Sequence, residues 1–241
     1  MLIVLVAPAL AACGDSFGSA PPAQGGGGTD AQGGAGGSGA GGETVGVGGA
    51  GGEGPQAGEL LWARHLKSPH DVFGGAVVGR ADGSVVACGV FRESLSTGDT
   101  EVSGYDEEPS KPDIFFVSFD SLGEFRYLDA ATGPDAAYCT GVVDRGNDLM
   151  FTGSFTTSID FGGQQSLTAN GNRGYQIRRS NDGAFVTPLA FTSSSEPTTH
   201  LPTVLARGGG PGELIAGTFR NELGFGGKVA EAAGTEADIF A

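Results

Sequence analysis

The sequence predicts an all-β protein built from tandem four-stranded antiparallel units, about three of them with the last incomplete. Three observations carry that prediction. First, Gly89-Val90-Phe91, Gly153-Ser154-Phe155 and Gly217-Thr218-Phe219 recur at a 64-residue period, and Leu95, Ile159 and Leu223 each stand four positions after the Phe. A period of this kind is what copying one supersecondary unit produces. Second, short runs rich in β-branched residues alternate with Gly, Asn and Asp punctuation, a hairpin signal. Third, residues 59–241 hold no amphipathic helical pattern.

The elements follow in order. Leu60-Leu61-Trp62-Ala63-Arg64 reads as an outer strand. In the first copy Ala76-Val77-Val78 leads through Asp82-Gly83 into Ser84 to Gly89, and Asp113 to Phe119 leads through Asp120-Ser121-Leu122-Gly123 into Glu124 to Leu128. The second copy repeats this with Gly141 to Val143, a turn at Gly146-Asn147-Asp148, then Leu149 to Gly153. Gly174 to Arg178, Asn181-Asp182-Gly183 and Ala184 to Val186 follow. The third has Val204 to Ala206, a Gly-rich turn from Gly208 to Gly212, and Glu213 to Gly217. Asx-Gly turns supply the positive φ that tight hairpins need. Copy one departs from the pattern. Thr97 stands where Phe161 and Phe225 stand, and an insert from Ser96 to Pro112 takes the place of the Phe-Gly-Gly turn.

Four strands per unit joined by short turns is the content of a β-propeller blade. The Asp-Gly turn, the Gly-x-Phe step, Asp160-Phe161-Gly162-Gly163 with Gly224-Phe225-Gly226-Gly227, and the Asp-Ile-Phe runs at Asp113 and Asp238 carry a resemblance. They resemble the β-propeller repeats of secreted and lipid-anchored bacterial proteins of myxobacterial type. Propellers typically close with 4–8 blades. The third copy stops at Asp238-Ile239-Phe240-Ala241, so the expectation is a piece of a longer protein, with exposed sheet edges that favour aggregation.

The first 58 residues read differently. Leu2 to Ala12 is a continuous apolar run. As a helix it would rise about 16 Å, short of a bilayer core of about 30 Å, which suits the apolar part of a signal peptide. Leu10-Ala11-Ala12-Cys13 resembles the bacterial lipobox. The resemblance implies that Cys13 is lipidated and becomes the N-terminus once residues 1–12 are removed. The competing interpretation is a buried strand with an incidental Cys. No Lys or Arg precedes Leu2, a departure from ordinary signal peptides, and Gly14 after the Cys gives no inner-membrane retention signal. The expected placement is the cell envelope, at the outer membrane or surface.

Of the 45 residues from Gly14 to Gly58, 20 are Gly. Such a chain has little to bury against its ordering entropy, so 13–58 is expected to be a disordered leash spanning about 40 Å. Gly46 to Gly51 matches the G-x-G-x-x-G pattern but lacks the flanking strand and helix of a dinucleotide site. The stretch holds four acids and no bases, so 59–241 carries −11 of the net −15. That balance argues against nucleic acid and against direct docking on anionic lipid.

Candidates for chemistry are few. His65, His70 and Asp71 could suggest a metal, yet an odd spacing on an extended strand sends the two imidazoles to opposite faces. His200, before Pro202, reads as loop. Asp106-Glu107-Glu108 lacks the alternating ligands of a Ca²⁺ loop, no G-x-S-x-G elbow occurs, and Asp82, Asp148 and Asp182 read as turn acids. No catalytic residue, metal or cofactor is assigned. Cys139 shifted by one repeat falls on Gly75, near the Cys88 end of its hairpin. A Cys88–Cys139 bridge between neighbouring units is therefore open, although two free buried thiols are the favoured reading.

The expected function is a lipid-anchored, non-enzymatic envelope protein. Its partners would be the membrane, through the lipid, and an unknown protein or glycan ligand met by the loops Ser96 to Pro112 and Ser193 to Pro202. The alternatives are an envelope hydrolase or lyase with active-site residues in further blades, and a structural stalk.

Overall fold

The computed structural model describes residues 2–6, 60–105, 110–191, 203–205, 214–219, 222–225, 228–231 and 238–240. All regular structure among them is β. Repeat one contains β3 (Phe73–Gly79), β4 (Val85–Phe91), β5 (Ser94–Ser96), β6 (Glu101–Ser103), β7 (Asp113–Phe119) and β8 (Phe125–Ala131). Before it stand β1 (Leu2–Val6) and β2 (Trp62–Leu66). Repeat two contains β9 (Ala137–Asp144), β10 (Asp148–Phe155), β11 (Ser158–Asp160), β12 (Ser166–Thr168), β13 (Arg173–Ser180) and β14 (Phe185–Ala190). Repeat three shows β15 (Thr203–Leu205), β16 (Leu214–Phe219), β17 (Glu222–Phe225), β18 (Lys228–Glu231) and β19 (Asp238–Phe240).

One topology recurs. Sheet one runs β3-β4-β7-β8 and sheet two runs β9-β10-β13-β14, every neighbour antiparallel, while β15-β16-β19 repeats the first three positions. Between the second and third strand of each unit lies a small hairpin: β5-β6, β11-β12 or β17-β18. The sequence reading missed these hairpins. In the first copy Ser96 to Pro112 begins at the end of β5, supplies the turn that stands where Phe161-Gly162-Gly163 stands in the second, and includes β6. The aliphatic four places after each signature Phe is the centre or second residue of the hairpin's first strand, and Leu95, Ile159 and Leu223 are all buried.

The two central strands of sheet one are buried along their whole length. Successive side chains on a strand point to opposite faces, so both faces must be covered. Val86, Cys88, Ile114 and Phe116 join a core with Phe151, Phe155, Tyr175 and Ile177 of sheet two. The alternate residues Val85, Ala87, Phe91, Phe115, Val117 and Phe119 join Trp62, Leu66 and Leu95 on the other side. Burial on both faces is why these strands read as near-continuous apolar runs rather than as alternating ones. Phe116 fills the space between the sheets, its ring 4.7 Å from Phe151 and 5.1 Å from Phe185.

Strand β2 stands to repeat one as β8 stands to repeat two. Lys67 and Ser96 exchange two backbone hydrogen bonds, and Thr132 and Asp160 exchange the same two bonds one repeat later. Strand β1 pairs antiparallel with β2, from Leu2 opposite Leu66 to Val6 opposite Trp62. It thereby takes the position beside β2 that β7 takes beside β8. The sequence reading did not expect residues 2–6 to pair there. Residues 8–59, including Cys13 and the Gly-rich stretch, lie outside the described residues, as do Asp106-Glu107-Glu108 and the loop from Ser193 to Pro202.

Candidate functional site

The signature Gly has a steric cause. Gly89 pairs with Phe115, Gly153 with Tyr175 and Gly217 with Phe240. In the first two copies the partner's aromatic ring lies over the glycine. A Cβ on Gly89 would sit 2.7 Å from the Phe115 ring and 2.1 Å from the Phe73 carbonyl oxygen. On Gly153 it would sit 2.7 Å from the Tyr175 ring and 1.8 Å from the Tyr138 carbonyl oxygen. Both glycines face a register shift in the first strand of their unit, between Gly74 and Ala76 and opposite Thr152/Gly153. Such a bulge leaves its extra residue unpaired and bends the strand. Two residues on, Phe91 and Phe155 end their strands fully buried. The chain then turns at Glu93 (φ 61°) and Thr157 (φ 66°), also 64 residues apart.

The bulge at Gly75 brings the two repeats together. A Cβ there would lie 1.9 Å from the Cys139 carbonyl oxygen, so only Gly lets β9 approach. At this contact Cys88 and Cys139 are joined by a disulfide, their Cα atoms 6.0 Å apart and 51 residues apart in sequence. The favoured expectation of two free thiols is thereby corrected. The repeat shift that equates Cys139 with Gly75 gave the neighbourhood, but the closeness of β9 to the Gly75 bulge has no signal in a single sequence. Both sulfur-bearing residues are buried.

At the loop end of the sheets, Asp113 is buried and holds two segments. Its Oδ2 accepts from Tyr105 N at 2.8 Å and its Oδ1 from Gly133 N at 3.1 Å. Burial raises its pKa above the usual carboxylate value, and those two backbone bonds oppose the shift. Gly104 belongs to this clamp, because a Cβ on it would meet the Asp113 carboxylate at 2.5 Å. Asp113 therefore holds Tyr105, within the segment from Ser96 to Pro112 that the sequence reading singled out for binding. His65 lies within β2, whereas His70 lies beyond its end and pairs with Glu93, Nε2 to Oε1 at 2.7 Å. Among the described residues no three of His, Cys, Asp and Glu gather as a metal site needs.

At the turn end an arginine-rich seam ties the repeats. Arg80, at the first hairpin turn of repeat one, reaches Asp144 Oδ1 (3.2 Å), Gly146 O (3.1 Å) and Asn181 Oδ1 (3.0 Å) of repeat two. Arg179 donates from Nε and Nη2 to Asp129 Oδ2, at 3.2 and 2.7 Å. Its guanidinium lies 3.7 Å from the centre of the Tyr127 ring, a cation–π contact across the seam. Arg126 reaches Asp82 Oδ2 at 3.2 Å. Asp82 is held mainly by Ser84, whose backbone N–H and hydroxyl both donate to it. Those bonds, more than Arg126, lower its pKa to about 2. Asp182 likewise accepts from Ser180 and from Ala184 N. Asp148 differs from the turn acid expected of it. It opens β10 and pairs with Arg145 and Arg178, at 3.3 and 3.7 Å. Arg80, Arg126 and Arg179 together line a cleft of about 220 Å³. Sequence reasoning missed this grouping, in which Arg80 also reaches Asn181, 101 positions away.

No protein-family model matches the chain, and no curated protein matches it in sequence.

Proposed function

We propose that this chain is a lipid-anchored protein of the bacterial cell envelope, whose repeated sheets belong to a propeller-type scaffold that presents a binding surface. The observation that carries the reading is the buried Cys88–Cys139 bridge between consecutive repeats. Structural disulfides persist in exported compartments and are rare in reducing ones. This agrees with Leu10-Ala11-Ala12-Cys13 and the Gly-rich stretch behind it, which make Cys13 the acylated residue and 14–58 the leash. The propeller reading draws support from the recurring four-strand unit, from first strands that approach each other at Gly75 and Cys139, and from the matched places of β2 and β8. It assigns the place beside β2 to the third strand of a final unit. The binding surface lies on the loops from Ser96 to Pro112 and from Ser193 to Pro202, facing a protein or glycan.

The pairing of Leu2–Val6 with β2 favours a second reading, in which residues 1–12 stay attached and Leu2–Val6 serves as an edge strand. One experiment separates the two. The full chain is expressed in a bacterial host with a labelled fatty acid, and its N-terminus is read by mass spectrometry. The anchor reading expects label, a chain beginning at Cys13, and loss of both in Cys13→Ala. An unlabelled chain that retains Leu2 overturns it.

A further inference from the structure

We propose that the cleft between the two complete repeats, lined by Arg80, Arg126 and Arg179, binds an oxyanion: the carboxylate or phosphate group of a small acid. The chain has 13 Lys and Arg against 28 Asp and Glu, yet three arginines line this one cleft together with Asp182, and each is also paired with an aspartate behind the lining: Arg80 with Asp144, Arg126 with Asp82 and Arg179 with Asp129. The rest of the wall mixes apolar Val86 and Leu149 with polar Ser118, Ser180 and Asn181. Apolar walls strengthen a charge-assisted hydrogen bond by excluding water.

The arginines divide into fixed and movable groups. Arg179 is 90% hidden and held in plane by Asp129 and by the Tyr127 ring. Its described hydrogen bonds use Nε and Nη2, leaving Nη1. Arg80 is tied to Asp144, Gly146 and Asn181, again with Nη1 unused in those bonds. Arg126 is different: its pair with Asp82 leaves the two side chains 44% and 51% exposed, and such surface pairs are weak. Asp82 keeps both Ser84 donors if Arg126 turns away. Arg126 can therefore swing onto a ligand without stranding its partner, which is not so for Arg179. The buried Tyr127 hydroxyl, part of the same wall, meets no hydrogen-bond partner among the described residues. A volume of about 220 Å³ is below the usual drug-sized range, so the site takes one acidic group with a small body.

The site is built from residues between Arg80 and Gly183 and does not depend on how the chain is anchored. The test titrates the full chain with inorganic phosphate and, separately, with galacturonate. Ionic strength is held constant with sodium chloride, and the Nε–H signals of Arg126 and Arg179 are followed by NMR. The expected result is saturable binding of at least one probe, with Kd on the order of millimolar. Arg126→Gln should weaken it about tenfold, the worth of one charge-assisted hydrogen bond, with an unchanged unfolding midpoint. Which probe binds more tightly identifies the group as carboxylate or phosphate. Shifts no different from those in chloride alone overturn the proposal, as does saturation that Arg126→Gln leaves intact.

Discussion

Reduction of the Cys88–Cys139 bridge should destabilise the repeat region by an amount set by the segment it closes. The sulfurs join residues 51 apart. In the chain-entropy description, a loop of that length removes about 4 kcal/mol of freedom from the unfolded chain. With a urea slope of about 2 kcal/mol/M for a domain of this size, the midpoint of unfolding should fall by about 2 M. The comparison is best made between the oxidised and reduced forms of one chain, which differ by no packing atom. A Cys13→Ser background leaves only this pair to report. Cys88 and Cys139 are 0% and 2% exposed, so a reductant should act slowly on the folded protein and quickly near the urea midpoint. A Cys88→Ala variant should unfold at or below the reduced midpoint. Coincident transitions for the oxidised and reduced forms would refute the argument, as would two free thiols in the untreated, denatured chain.

Four further outcomes are expected. Gly89→Ala and Gly153→Ala, which place a methyl against a backbone carbonyl and an aromatic ring, should each cost about 3 kcal/mol by urea unfolding. Gly79→Ala, with open space around its Cβ, should change stability by less than about 1 kcal/mol. Thr157→Gly relieves a β-branched residue at φ 66° but loses the Oγ1 hydrogen bond to Asp135, so the two effects should offset to within about 1 kcal/mol in thermal unfolding, whereas Thr157→Ala, which loses the bond and keeps the strain, should unfold at a lower temperature than Thr157→Gly. Arg179→Lys keeps the charge but loses the two-nitrogen grip on Asp129 and the full face on Tyr127. It should cost about 1–2 kcal/mol in denaturant unfolding. Two aspartates should act on pH stability with opposite signs, measurable by carboxyl NMR. Asp82, lowered to about 2 from 3.8, adds stability that is complete above pH 3.8 and is lost as pH falls through about 2. Asp113, raised by burial, adds stability that is complete below pH 3.8 and is lost as pH rises through its elevated value.

What the sequence determined alone was local and periodic. The β class, the strands around Asp113–Phe119 and Leu149–Gly153, and the Asx-Gly turns follow from short β-branched and aromatic runs and from backbone angles that few residues tolerate. The 64-residue period placed equivalent strands because copies of one unit fold alike. Tertiary structure decided whatever depends on what faces what. Gly89 and Gly153 show their purpose only when Phe115 and Tyr175 are laid across them. The small hairpins escaped notice because strands of three or four residues carry too short a pattern, and only burial of Leu95 and Ile159 fixes them. The pairing of Cys88 with Cys139 and the meeting of Arg80, Arg126 and Arg179 arise from the stacking of one repeat on the next. Residues from separate repeats become neighbours there through packing of both sheet faces, a long-range effect that local residue preferences do not encode.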